Sequence, residues 1–232
     1  MAKAPTQPPP IHYKPTIVFI HGLARGPRSL EKLRRHVEAT TGCSTINIGY
    51  STRPKLEDAA LVVARKIRSE VGQGGDAFAV TQSMGGVILR LVSNLPDGGG
   101  VKWRGAVMLG PPNQGSSFAR ALLGTTFGGL FRLGFGEAAA ALGGPNTEWP
   151  LPPGPVGIIA GTKALYPSVP SFVSTAFNLL KGPNDGTVCV SETRLEGMDY
   201  DFRECHEGHS RLPYNQEVFQ LVVRFVESAS FG

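Results

Sequence analysis

Short runs of β-branched and apolar residues alternate with longer stretches whose apolar positions recur every three or four residues, and the alternation runs through most of the chain. Thr16-Ile17-Val18-Phe19-Ile20 is a continuous apolar run followed at once by His21-Gly22-Leu23, the pattern of a buried central strand that ends in a loop. Ser29 to Thr41 predicts a helix with Leu30, Leu33 and Val37 on one side and Gly42 as its stop. Ser44 to Ile48 predicts a second strand. From Leu56 to Val71, the apolar positions Leu56, Ala59, Ala60, Val63, Ala64 and Ile67 mark an amphipathic helix that covers a sheet. Asp76 to Val80 predicts a third strand, and Val87 to Val92 continues at helical length without a breaker. Arg104 to Leu109, Pro155 to Ala160 and Tyr200 to Cys205 read as later strands. Asn215 to Glu227 reads as a closing helix striped by Val218, Leu221, Val222 and Phe225. This order predicts an α/β class: a mostly parallel sheet of about six strands with helices on both faces.

Two stretches break the pattern. Residues 1–14 are proline-rich and predict an extended arm, leaving 15–232 as a single domain. Residues 113–153 mix bulky apolar side chains with many glycines, which suits a candidate cap better than a core element. Phe127, Phe131 and Phe135 are its candidate substrate-binding residues, facing an acyl-binding cleft. The competing reading is an ordinary helical excursion packed on the main core. With 232 residues and 41% hydrophobic content, the chain can bury one sizeable core, and no internal repeat divides it.

The candidate chemistry centres on Thr81-Gln82-Ser83-Met84-Gly85-Gly86, which sets a serine between a strand and the glycine-rich start of a helix. A sharp strand-to-helix turn pushes Oγ out over the carboxyl edge of a sheet and requires small neighbours. A serine hydroxyl is a weak nucleophile at neutral pH, so it needs a histidine base and a carboxylate that holds the imidazole. Asp185, in Gly182-Pro183-Asn184-Asp185-Gly186-Thr187-Val188, sits in a polar turn whose amides can hold a carboxylate rigidly. His206 and His209 compete as base. His209 is preferred because it follows a glycine in the loop before the last helix. His12 and His36 read as solvent-facing, and His21 as a residue that shapes its loop by hydrogen bonding. An oxyanion needs donors, and the N–H groups of Met84, at the start of a helix, and Leu23, after Gly22, are the candidates.

Charge and cysteines narrow the field. The formal net charge of +5 is spread among acidic residues, apart from Lys32, Arg34, Arg35 and His36, and no motif or aromatic interleaving supports nucleic-acid binding. Moderate basicity still suits transient contact with an anionic lipid surface. Cys43, Cys189 and Cys205 cannot all pair within the chain and lack metal-ligand spacing. The N-terminus has no apolar core of a signal peptide, and no stretch reaches the length of a membrane span. The expectation is a cytoplasmic protein, although a secreted form without its leader reads the same way.

Four stretches together resemble the α/β-hydrolase-fold lipases and esterases of the small bacterial type. They are Val18-Phe19-Ile20-His21-Gly22-Leu23, Ser83-Met84-Gly85-Gly86, Leu109 to Ser116, and Asn184-Asp185-Gly186-Thr187-Val188 with His209 downstream. The resemblance implies that the residue after His-Gly gives an oxyanion amide, the elbow serine attacks, and Pro-x-x-Gly-Ser opens the cap. The order Ser, Asp, His is also that of the family. The sequence departs from the pattern at Thr81, where a small residue is usual, and at Gln82, where histidine is frequent. The expected activity is hydrolysis of acyl esters by Ser83, Asp185 and His209 with the Leu23 and Met84 amides, without a metal or organic cofactor. An acyltransferase or thioesterase with the same triad, and a silent binding protein on this fold, are the alternatives.

Overall fold

The computed structural model describes residues 14–125, 128–144, 148–164 and 180–232. These residues form a six-stranded sheet of β1 (Thr16–Ile20), β2 (Thr45–Ile48), β3 (Asp76–Gln82), β4 (Lys102–Leu109), β5 (Val156–Gly161) and β6 (Asp201–Cys205). The spatial order is β2-β1-β3-β4-β5-β6, and every neighbouring pair is parallel, so the sheet is wholly rather than mostly parallel. The helices are α1 (Glu31–Thr41), α2 (Leu56–Val71), α3 (Met84–Ser93), α4 (Ser117–Leu123), α5 (Gly128–Leu142) and α6 (Gln216–Ser228).

The two-residue period of the strands divides the core into two layers. Val18, Ile20, Ala77, Ala79 and Ala106 pack under α2 and α3, whose buried residues include Ala60, Val63, Ile67, Val87 and Ile88. The alternate residues Ile17, Phe19, Phe78, Val80 and Val107 pack under α1 and α6, against Leu33, Val37, Val218, Val222 and Phe225. Small alanines on the first face let α2 and α3 lie close to the sheet. The boundaries differ from the sequence reading where local chemistry intervenes: the predicted helix from Ser29 begins as a 3₁₀ turn over Pro27–Leu30, with Ser29 Oγ donating to Gly26 O at 2.7 Å. The His36 ring is half-buried rather than solvent-facing, because it packs on Phe219 of α6 with ring centroids 5.0 Å apart. Residues 1–13 of the expected arm lie outside the described residues.

The parallel arrangement brings the carboxyl ends of β1, β3, β4, β5 and β6 to one edge, where the connecting loops gather. What lets α3 leave β3 at that edge is Gly85. A Cβ on Gly85 would stand 2.3 Å from the Ile20 carbonyl oxygen and 2.9 Å from that of His21, both rigid backbone. Gly85→Ala is therefore expected to destabilise the fold by about 2–3 kcal/mol, toward the upper end of overpacking costs. Gly129→Ala, on an exposed helical position with open space around it, should be neutral or stabilising by about 0.5 kcal/mol. Urea midpoints of the two variants against the parent check both signs.

Candidate active site

Ser83 stands at the turn between β3 and α3 with φ +53° and ψ −127°, a conformation that non-glycine residues adopt only under constraint. Its N–H donates to Leu109 O at 2.8 Å and its carbonyl accepts from Gly86 N–H at 2.9 Å, so both flanks of the turn are tied. Thr81 Oγ1 lies beside Gly86 in the elbow: a Cβ there would come within 3.4 Å of Oγ1 and 2.6 Å of Met108 Cε. The close neighbour that requires a glycine at 86 is Met108 of β4, while Thr81 lies at ordinary contact distance. Gln82 is also buried and its Nε2 donates to the His209 carbonyl at 3.3 Å.

The structure brings Asp185 and His209 together. Asp185 is 1% exposed, lies between β5 and β6, and accepts at Oδ1 from the Thr187 and Val188 amides at 3.0 and 2.8 Å. Its Oδ2 meets His209 Nδ1 at 2.6 Å, and the His209 N–H donates to the Asp185 carbonyl at 2.9 Å. A bond to a carboxylate places the neutral imidazole's proton on Nδ1 and leaves Nε2 as an acceptor. Gly110, at the end of β4, provides the space: a Cβ there would stand 3.0 Å from Asp185 Oδ2 and 3.1 Å from His209 Nδ1. His206, the competing histidine, is exposed and lies beside Thr162 Oγ1 at 3.5 Å.

The loop after β1 approaches the same point. Gly22 has its backbone role in proximity rather than in a tight turn: a Cβ would lie 2.9 Å from Ser83 Cβ, whereas the left-handed residue of the loop is Ala24 with φ +53°. The Ala24 N–H is taken by Thr52 Oγ1 at 3.2 Å and the Arg25 N–H by Gly22 O at 3.3 Å. The Leu23 N–H makes no hydrogen bond among the described residues. The Met84 side chain is wholly buried in the core, so Met84 can offer the site only its backbone N–H, in the first turn of α3 where no intrahelical acceptor exists. His21 is fully buried, donates from Nδ1 to Gly22 O at 3.0 Å and stacks on Tyr50, whose hydroxyl donates to His21 O at 2.6 Å. Burial, opposed by the Gly22 bond, holds the His21 pKa below its ordinary value.

Ser83 and His209 line one cavity of about 680 Å³, walled by Leu23, Phe118, Leu122, Leu130, Phe135 and Leu142 among others. This volume is that of a small-ligand site. Of the three candidate phenylalanines, Phe135 lines it; Phe127 lies outside the described residues, as does the side chain of Phe131. Leu130 and Leu133 of α5 are 66% and 70% exposed, leaving an apolar rim. Burial pushes the Cys189 thiol up to about 11 and the Cys205 thiol up to about 12, so neither is a thiolate at neutral pH.

Three polar residues that motif reading did not single out connect the segment 113–153 to the sheet edge. Arg90 of α3 is 5% exposed and donates to the Pro150, Trp149 and Asn113 carbonyls at 2.6, 2.6 and 3.1 Å. Desolvation lowers its pKa to about 10. Asn113 Nδ2 donates to Thr193 O at 2.8 Å. Glu192 accepts from the Ser117 amide at 2.6 Å and the Cys189 amide at 2.8 Å. The signal was an arginine on an otherwise apolar helix, which cannot be buried without several acceptors.

The parallel sheet, the serine turn after β3 and the histidine after β6 define an α/β-hydrolase fold, and solved structures agree. The mature form of Bacillus licheniformis lipase BlEst2 is similar with a TM-score of 0.67 at 20% identity, over 92% of this chain and 92% of that one. The propeptide form gives 0.70 at 20% identity over 90% of this chain, which spans only 50% of that longer protein. The metagenomic carboxyl esterase MGS0156 gives 0.64 at 17% identity, over 87% of this chain and 66% of that one. No protein-family model and no curated protein matches the sequence. At these identities the comparisons establish the fold.

The lowered pKa of His21 carries a sign. Between its folded value and about 6.5, the unfolded chain binds the proton that the folded one excludes, so stability rises with pH across that window and is lost as pH falls through it. Urea midpoints at about pH 7.5 and about pH 5 should differ less for His21→Gln than for the parent.

Proposed function

We propose that the protein is a serine carboxylic-ester hydrolase. The observation that carries this reading is the Asp185–His209 pair at 2.6 Å, facing the same apolar cavity as Ser83 on its strained turn. Ser83 Oγ adds to the ester carbonyl carbon while His209 Nε2 takes its proton, and Asp185 holds the imidazole's orientation and balances the imidazolium. The Leu23 and Met84 amides receive the oxyanion, each removal of such a donor costing roughly a hundredfold or more in other hydrolases. As the carbon–oxygen bond breaks, His209 returns the proton to the departing alkoxide, and water then takes the same route to release the acid.

Residues 113–153 act as a cap over the acyl end of the cavity. The apolar wall and the exposed leucines of α5 support an uncharged acyl chain of short to medium length. No helix among the described residues is long and apolar enough to cross a membrane.

Initial rates on p-nitrophenyl esters from acetate to palmitate test the reading. Ser83→Ala is expected to abolish turnover, and Asp185→Asn to lower kcat by about three to four orders of magnitude. Rates indifferent to Ser83 on every chain length would remove the mechanism. Transfer of the acyl group to an added alcohol or thiol in preference to water would instead assign the same three residues to an acyltransferase.

A further inference from the structure

Among the described residues the cavity lining is almost entirely uncharged, and its one permanent charge is Arg25. Apart from His209, no other ionisable side chain lines it. Arg25 is exposed, and among the described residues it pairs with no carboxylate; its guanidinium Nη2 donates to Ser210 Oγ at 2.5 Å. Asp185 is spent on His209 and two backbone amides, and Glu207 faces Arg211 at 3.8 Å. A guanidinium presents five donors in a fixed fork, so one bond to a hydroxyl leaves it able to grip an oxyanion.

Its position also has a direction. In the ester-hydrolase reading, the leaving oxygen departs on the His209 side because His209 returns the proton to it. Arg25 reaches Ser210, the next residue in the chain, while Phe118, Leu122, Leu130 and Leu142 form the apolar wall. The charged end and the apolar part of the cavity thus match the two halves of an ester.

Resting on that reading, we propose that Arg25 is a specificity residue for esters whose alcohol carries an anionic oxyacid group, a carboxylate or a phosphate, close to the ester oxygen. The acyl chain occupies the apolar part, and the anionic group of the alcohol bonds the Arg25 guanidinium beside Ser210. Hydrolysis then yields a fatty acid and a free anionic alcohol.

The test compares two hexanoyl esters, of 2-nitrophenol and of 3-hydroxy-4-nitrobenzoate, which differ by a carboxylate on the leaving group. A second arm compares fatty-acid release from a monoacylglycerol and from its phosphate ester, separating a carboxylate preference from a phosphate preference. The expected result is a kcat/KM ratio favouring the anionic member by about tenfold or more, falling as salt is raised. Arg25→Gln should remove that preference while holding the neutral ester within about twofold, which also shows that the variant folds; Arg25→Lys should keep part of it. An anionic-to-neutral ratio identical in the parent and Arg25→Gln, with both esters hydrolysed through Ser83, overturns the Arg25 assignment and leaves the hydrolase standing. Hydrolysis of neither ester overturns the hydrolase reading, and the Arg25 assignment falls with it.

Discussion

The close approach of two backbones, the end of β1 against the first turn of α3, is the constraint on which the rest of the molecule depends. With no side chain at Gly85, the Ile20 and His21 carbonyls can press on the helix start. That contact fixes where α3 begins, and the position of α3 holds Ser83 in a left-handed conformation that it would not choose alone. The loop after β1 is held by the same approach, since Gly22 lies against the serine side chain. Two close backbone approaches, at Gly85 and at Gly22, therefore position the nucleophile candidate and the loop beside it.

The second constraint is electrostatic. A carboxylate almost completely withdrawn from water is tolerable only when its lone pairs are occupied, and Asp185 has three donors. The Asx-type turn that supplies two of them is local, built from the next three residues. The third donor comes from beyond β6, so the pairing joins the turn after β5 to the loop that precedes the last helix. Buried polarity of this kind belongs to a single arrangement of those loops, because any displacement would leave a charge unpaired in an apolar surrounding.

Much of this was legible in the residues. The short β-branched run from Thr16 to Ile20, bounded by His21-Gly22, favours a buried strand, and the apolar stripe from Leu56 to Val71 gives the bounds of α2 as found. Ser83, Asp185 and His209 were named as candidates because each stands in a local turn motif, and the fold brings the latter two into contact. Less legible were features that depend on distant partners. Arg90 stands out as the one charge in an apolar helical run, but only the fold shows the carbonyls of Trp149 and Pro150 meeting it. His36 looked exposed from its charged neighbours, yet α6, far along the chain, supplies Phe219 as its cover. The need for glycine at 86 came from Met108, a residue of another strand.

The arginine that secures the end of segment 113–153 bonds neutral carbonyls and, among the described residues, no carboxylate. Acid that protonates carboxylates and histidines leaves the Arg90 attachment untouched, independently of the Glu192 carboxylate that accepts from the Ser117 amide. The same independence has an evolutionary side. Main-chain acceptors are present whatever the side chains are, so side chains between Ser117 and Trp149 can change without altering the Arg90 anchor. The candidate reacting groups thus stand on a sheet edge crowded by backbone, while much of the cavity wall comes from a segment that Arg90 holds through main-chain acceptors.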